Sequence, residues 1–206
     1  NEISQSEGYD YIAVAHHKDD QAESILAHLI RGTGLNGLTG MAVVSYDYTV
    51  PVIRPLLDVT KSELLDYLAD RDLTYCIDST NDDISYQRNR IRHRIIPELE
   101  SINPNVVDAI VRLGSSVSED LAVISDLTAQ AFERIVIIDK DAMNLSRKAL
   151  RKEPLAIQRR LWQRLVSSID SYITLTTAHQ EQLLDIVNTG EAKTFTIKSI
   201  KVTAQC

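Results

Sequence analysis

The first half of the chain alternates two apolar patterns. A continuous run, YIAVA at 11–15, is followed by Ala22, Ile25, Leu26, Leu29 and Ile30 at helical spacing. The run suits a short buried strand, and the recurrence at three and four marks one face of a helix that Gly32 is placed to end. The plan then repeats. YTVPVIRPL at 48–56 predicts a strand, Thr60 and Glu63 form a T-x-x-E box that opens a helix, and Leu64, Leu65, Leu68 and Ala69 supply its stripe. LTYCI at 73–77 predicts a further short strand. Strands alternating with helices predict an α/β fold, a parallel sheet with flanking helices.

Beyond residue 100 the pattern changes. The Asn-Pro step in SINPN, 101–105, marks a boundary, and Val106, Ile110, Leu113, Val117, Leu121, Ile124 and Ala131 trace a long amphipathic helix. RIVIID at 134–139 reads as a strand, a basic helix starts near Pro154, and a T-x-x-Q box from Thr177 to Gln180 opens another helix. Two domains follow from this: an α/β domain over 1–100 and a mainly helical one over 101–206. The second runs out at TIKSIKVTAQC in a β segment that reads as truncated.

A hydrophobic share of 44% over 206 residues is enough for a real core and excludes disorder throughout. No apolar stretch approaches the ~20 residues that span a bilayer, so no membrane partner is expected. Cys76 and Cys206 stand without a C-x-x-C spacing, which argues against a disulfide framework or zinc knuckle and for a reducing cytoplasm. Cys76 itself is expected as a buried strand residue. The net charge of −7 speaks against a nucleic-acid partner, but its distribution does not. Residues 1–85 hold fifteen acids against five Lys or Arg, whereas RNRIRHR at 88–94 and SRKALRKEPLAIQRRLWQR at 146–164 are nearly all basic.

The densest chemistry is AHHKDDQAES at 15–24, between the first strand and its helix. Ligands of open α/β sheets bind at that end of the strands, beside helix N-termini. A single Asp there would serve as a dipole cap worth ~0.3–1 kcal/mol; two Asp and Glu23 exceed that need. Zinc is disfavoured by the lack of an H-E-x-x-H spacing. Magnesium held by Asp19 and Asp20 beside a nucleotide phosphate, or recognition of a cationic substrate, fits better. His16 and His17 either contact that nucleotide or orient the acids, the alternative being hydrogen-bonded histidines at a strand end. RGTGLNGLTGM at 31–41 carries four glycines that serve either close backbone approach or plain turns, and Arg31 is a phosphate ligand or a partner of the helix dipole. No acid occurs between Tyr86 and Pro97, so the arginines there read as a phosphate-facing stripe rather than a solvated face of mixed sign.

AHHKDDQAES, RGTGLNGLTGM, VIRPLLDVTKSELLDYL, DSTND and YQRNRIRHRIIPEL, in that order over about residues 11–100, resemble the bacterial tRNA(Ile)-lysidine synthetases, a family of the PP-loop, or N-type ATP pyrophosphatase, superfamily. The resemblance implies a ligase that uses ATP and Mg2+. ATP adenylates the C2 oxygen of the wobble cytidine in the CAU anticodon of tRNA(Ile), and the amine of free L-lysine displaces AMP. It implies catalytic roles for Asp20, Asp19 and Glu23 near the nucleotide, its magnesium and the lysine ammonium, with Asp20 first in line to take a proton from the amine. His16, His17, Arg31, Gly32 and Gly34 are implied on the nucleotide side. Arg88, Asn89 and Arg92 match the family's pattern directly and, with Arg147, Lys148 and Arg151, are implied for the tRNA; a homodimer is compatible. The family's Ser-Gly-Gly-x-Asp-Ser phosphate loop does not occur in these 206 residues. The chain therefore reads as an internal portion, expected to be inactive alone. Two other readings stay open: a tRNA-thiolating PP-loop enzyme, for which the usual cysteine pairs are lacking, and a non-catalytic tRNA-binding module, which leaves DDQAE unexplained.

Overall fold

The structure is a computed structural model that describes residues 8–76, 83–139, 142–189 and 193–204. Its contacts sort into two compact units, Asn1–Leu121 and Ala122–Cys206. Among the described residues no helix is long and apolar enough to cross a membrane.

In the first unit β1 (Ile12–Ala13), α1 (Lys18–Arg31), α2 (Leu35–Leu38), β2 (Val44–Ser45), β3 (Val52–Ile53) and α3 (Lys61–Asp70) precede a helical run made of α4 (Gln87–Arg90), one π turn (Ile91–Ile95) and α5 (Ile96–Ile102). The sheet order is β1-β3-β2, with β1 parallel to β3 and β2 antiparallel to it. The sheet is thus mixed where a parallel one was expected. Only residues 46–51 join β2 to β3, too few for a parallel crossover, which needs a dozen or more. A second correction concerns LTYCI. Residues 73–76 form no strand and Cys76 is exposed, because the chain leaves α3 through a left-handed Asp72 (φ 51°) into a segment that joins no described ladder.

The α1 helix buries Ala22, Ile25 and Leu26, and Leu26 packs on Ile91 and Ile96 of the helical run. Leu29 and Ile30, predicted on the same stripe, are exposed, so burial stops a turn before the helix does. Gly32 ends it as expected, at φ 77° with its N–H donating to the Leu29 carbonyl. Gly40 shares a positive φ (70°) and adds a second reason to be glycine. The Gln21 amide donates to the Met41 carbonyl at 2.9 Å and accepts from the Met41 N–H at 2.6 Å. A Cβ on Gly40 would lie 2.6 Å from Gln21 Oε1. The predicted box at Thr60 is present: the Glu63 N–H donates to Thr60 Oγ1 and the Thr60 N–H to Glu63 Oε2.

The α6 helix (Val106–Ile135) begins in the first unit and ends in the second, which adds β4 (Val136–Ile138), β5 (Met143–Leu145), α7 (Arg147–Leu150), α8 (Leu155–Ile169), α9 (Thr177–Thr189), β6 (Lys193–Ile197) and β7 (Ile200–Ala204). Its core joins Ala131 and Ile135 to Leu161, Trp162 and Leu165 of α8 and Leu183 and Val187 of α9. The strands form two antiparallel hairpins, β4-β5 and β6-β7. The α9 helix opens one residue earlier than the T-x-x-Q spacing suggests. Thr176 Oγ1 accepts from the His179 N–H at 3.2 Å, and the Thr176 N–H donates to His179 Nδ1 at 3.3 Å. A histidine ring nitrogen supplies the acceptor expected from Gln180.

Candidate functional site

The site grows from the N-terminus of α1. His17 is extended there (φ −122°, ψ −179°) and forms a parallel bridge with Leu56, so β3's continuation runs alongside. The Lys18 N–H donates to the Val59 carbonyl at 2.9 Å, and the Lys61 N–H, at the start of α3, donates to Asp19 Oδ2 at 2.9 Å. Two helix N-termini therefore converge on Asp19, where their partial positive charge favours a carboxylate.

One turn into α1 lie two buried acids, Asp20 at 6% exposure and Glu23 at 1%. Arg88 and Arg92 meet both. Arg88 Nε donates to Glu23 Oε2 at 2.9 Å and its Nη2 to Asp20 Oδ1 at 2.8 Å. Arg92 Nε donates to Glu23 Oε1 at 2.6 Å, and its Nη2 to both Asp20 Oδ1 and Glu23 Oε2 at 2.9 Å. Asp20's other oxygen accepts the His17 N–H at 3.0 Å. Both oxygens of both acids are engaged, and the four charges sum to zero. This answers the cost of burying carboxylates, since each is paired and hydrogen-bonded.

The π turn explains how one helical run does two jobs. In a regular α-helix Ile91 and Ile96 would point ~140° apart, five residues at ~100° each. The wider turn, closed by the Ile96 N–H on the Ile91 carbonyl, brings both to the core at 1% and 7% exposure, while Arg88 and Arg92, four apart, reach α1. Nη1 of each arginine meets no protein acceptor among the described residues, and the Arg88 side chain is 46% exposed.

Electrostatics follow from this geometry. Burial opposes the charge on Arg92, yet Glu23 and Asp20 hold its pKa above the ordinary value. Burial lowers the His16 pKa, with Arg88 and Arg54 adding to the shift against Asp20, so the ring is mainly neutral at pH 7. The His17 imidazole, 3.3 Å from Asp19 Oδ2, and the Lys61 N–H hold the Asp19 carboxyl down at about 2 against the opposing effect of burial. A depressed folded-state pKa contributes stability that is present in full above the unfolded value and is lost as pH falls through the folded one. The contribution of Asp19 should therefore persist above pH 3.8 and disappear toward pH 2. In urea titrations across that window Asp19→Asn should lose stability less steeply than the parent chain. Parallel slopes would show that Asp19 is not held ionised.

The remaining predicted residues are not gathered here. Arg31, Gly32 and Gly34 lie at the far end of the 14-residue α1, about 20 Å from His16 and His17 at 1.5 Å per residue, so the two groups expected around the nucleotide do not converge on one point. Asn89 is buried beside the arginines, its Nδ2 donating to the Asp83 carbonyl at 2.9 Å. In the second unit Lys148 is exposed, Arg147 is half-buried, and Arg151 caps α9, with Nε donating to the Val187 carbonyl at 2.6 Å and Nη2 to that of Asn188 at 2.8 Å. DSTND, apart from its surroundings, lies at 78–82, outside the described residues. Sequence reasoning missed Arg54, whose Nη1 donates to the Ala42 carbonyl and Ser45 Oγ at 2.9 Å, and Gln21. The one available signal for Arg54 was a cation inside an apolar strand pattern. Among the described residues no three His, Cys, Asp or Glu side chains group to hold a metal ion.

Residues 1–99 match the family described as the PP-loop domain. The chain is 33% identical over 168 residues to the tRNA(Ile)-lysidine synthase of Geobacter sulfurreducens, covering 81% of this chain and 35% of that protein. It is 31% identical over 192 residues to that of Bacillus subtilis, covering 92% and 41%. The identity rises to 47% over 103 residues with that of Porphyromonas gingivalis, covering 50% and 22%. The chain thus spans between 22% and 41% of the length of these three relatives.

Proposed function

We propose that the chain, whose residues 1–99 match the PP-loop domain family, is part of an ATP-dependent tRNA(Ile)-lysidine synthase. In the reaction the C2 oxygen of the wobble cytidine attacks the α-phosphorus of ATP and pyrophosphate leaves. The lysine amine then attacks C2, the C–O bond to AMP breaks, and the amine's excess proton passes to a base. The observation that carries the reading is the convergence of the HHKDDQAES and RNRIRHR segments, 65 residues apart in sequence, on one charge cluster.

Within it Asp20 and Glu23 hold two guanidinium groups in fixed orientation, leaving the Nη1 donors for phosphate oxygens of nucleotide or tRNA. Asp19 is the acid with an oxygen to spare, since its Oδ1 makes no hydrogen bond to another described residue. Ionised and half-exposed, it suits an ammonium or a hydrated magnesium ion, which needs only one or two protein oxygens. Magnesium would neutralise the phosphate charge that builds up on adenylation. Asp20, expected from the sequence to take the amine's proton, has both oxygens engaged and holds the two guanidinium groups, and Asp19 Oδ1 is the acceptor left for that proton.

ATP-dependent incorporation of radiolabelled lysine into tRNA(Ile) with a CAU anticodon, by the protein that contains this chain, tests the proposal. Incorporation of sulfur instead, or tRNA binding with no ATP consumption, would favour the thiolating or the non-catalytic reading. In the same protein Arg88→Ala should flatten the log–log salt dependence of tRNA binding by ~0.7–0.9, one phosphate contact, whereas Lys61→Ala should leave it unchanged. An unaltered slope in the Arg88 variant would remove that residue from the phosphate track.

A further inference from the structure

A cavity of about 1120 Å³ opens within the second unit. Its floor is apolar, built from Trp162, Leu165, Val166 and Ile169 of α8 with Ile186 and Val187 of α9. Two of its walls are strands. All of β5 and all of β7 line it, and no residue of β4 or β6 does. Each hairpin has only two strands among the described residues, so β5 and β7 both turn their unpaired edge to the cavity. An open edge presents backbone N–H and C=O groups in a row, a template for another strand. The five residues of β7 give an edge ~17 Å long at ~3.3 Å per residue.

The charge around the cavity has one sign. Lys148, Arg151 and Lys201 line it, and no Asp or Glu does. A compact ligand would leave much of the two backbone edges unmet, whereas an extended chain satisfies them along their length and sets alternate side chains on the apolar floor and among the cations. We propose that this cavity is a docking groove for an extended peptide segment of alternating apolar and acidic residues, which adds a strand between β5 and β7.

Trp162 is the chain's single tryptophan and lines the groove, so its fluorescence reports occupancy directly. The probe is an acetylated, amidated octapeptide of alternating valine and glutamate, titrated into the 206-residue chain. The expected result is a saturable change in Trp162 emission, with amide exchange slowed by ~10-fold or more at Lys201 and Thr203, the β7 residues whose N–H groups face away from β6. A valine–lysine counterpart should bind at least ~10-fold more weakly, and Lys201→Glu should narrow or reverse that preference. Methylating alternate backbone nitrogens along the peptide edges should cost at least ~10-fold, because strand addition needs those donors. Equal affinity of the methylated peptide would overturn strand pairing. Failure of the valine–glutamate peptide to bind, or its displacement by a single-stranded oligonucleotide that slows the same amides, would overturn the peptide as occupant.

Discussion

Replacing Arg92 with alanine should lower the unfolding free energy of the protein by ~3–5 kcal/mol, the scale of breaking a buried ion pair from one side. Glu23, at 1% exposure, would keep only the half-exposed Arg88, and Asp20 would lose one of its two guanidinium partners. Urea unfolding at pH 7 reads the loss. Arg92→Lys should recover little of it, because an ammonium cannot supply the Nε and Nη2 donors that now reach both acids. Replacing Glu23 by glutamine together with Arg92 by methionine should cost less than the Arg92→Ala change, since the buried charge leaves with its partner. A loss below ~1 kcal/mol for Arg92→Ala would mean that solvent reaches the cluster and screens it as at a surface pair.

On the proposed function, changing Asp20 to asparagine should slow lysidine formation by ~10²-fold or more in the protein that contains this chain, the scale of losing electrostatic assistance from two guanidinium groups held in place. Asparagine keeps the size of the side chain but sets an amide donor where an oxygen now faces either two guanidinium groups or the His17 N–H. Single-turnover rates with saturating tRNA isolate the chemical step from the loss of tRNA affinity expected when Arg88 is no longer held in place. An unchanged tRNA affinity beside a slowed chemical step would place the two guanidinium groups on the nucleotide rather than on the tRNA. A rate within a factor of two of the parent would remove it from the reaction.

The clearest parts of the fold in the sequence were those whose cause lies within a turn or two. Helix α1 ends at Gly32 because only a residue free of Cβ strain takes φ 77° readily, and α3 starts at Thr60 because Glu63 is three residues on. Both could be read from spacing. The α9 start shifted by one residue because either Thr176 or Thr177 could cap, and a histidine proved an adequate acceptor.

What spacing could not supply was the partner of each charge. HHKDDQAES and RNRIRHR were each recognisable as unusual, and their residue types suggested separate tasks, acids for a cation and arginines for phosphate. Tertiary structure decided that Asp20 and Glu23 spend their oxygens on Arg88 and Arg92, leaving Asp19 with an oxygen to spare. It decided likewise that β2 pairs antiparallel with β3, and that the helical run widens into a π turn. The division has a physical origin. Caps and helical stripes depend on atoms a few bonds away along the chain, and so are written in local spacing. Ion pairs and sheet partners depend on which distant segments the core brings into contact, and the same local pattern is compatible with several of them.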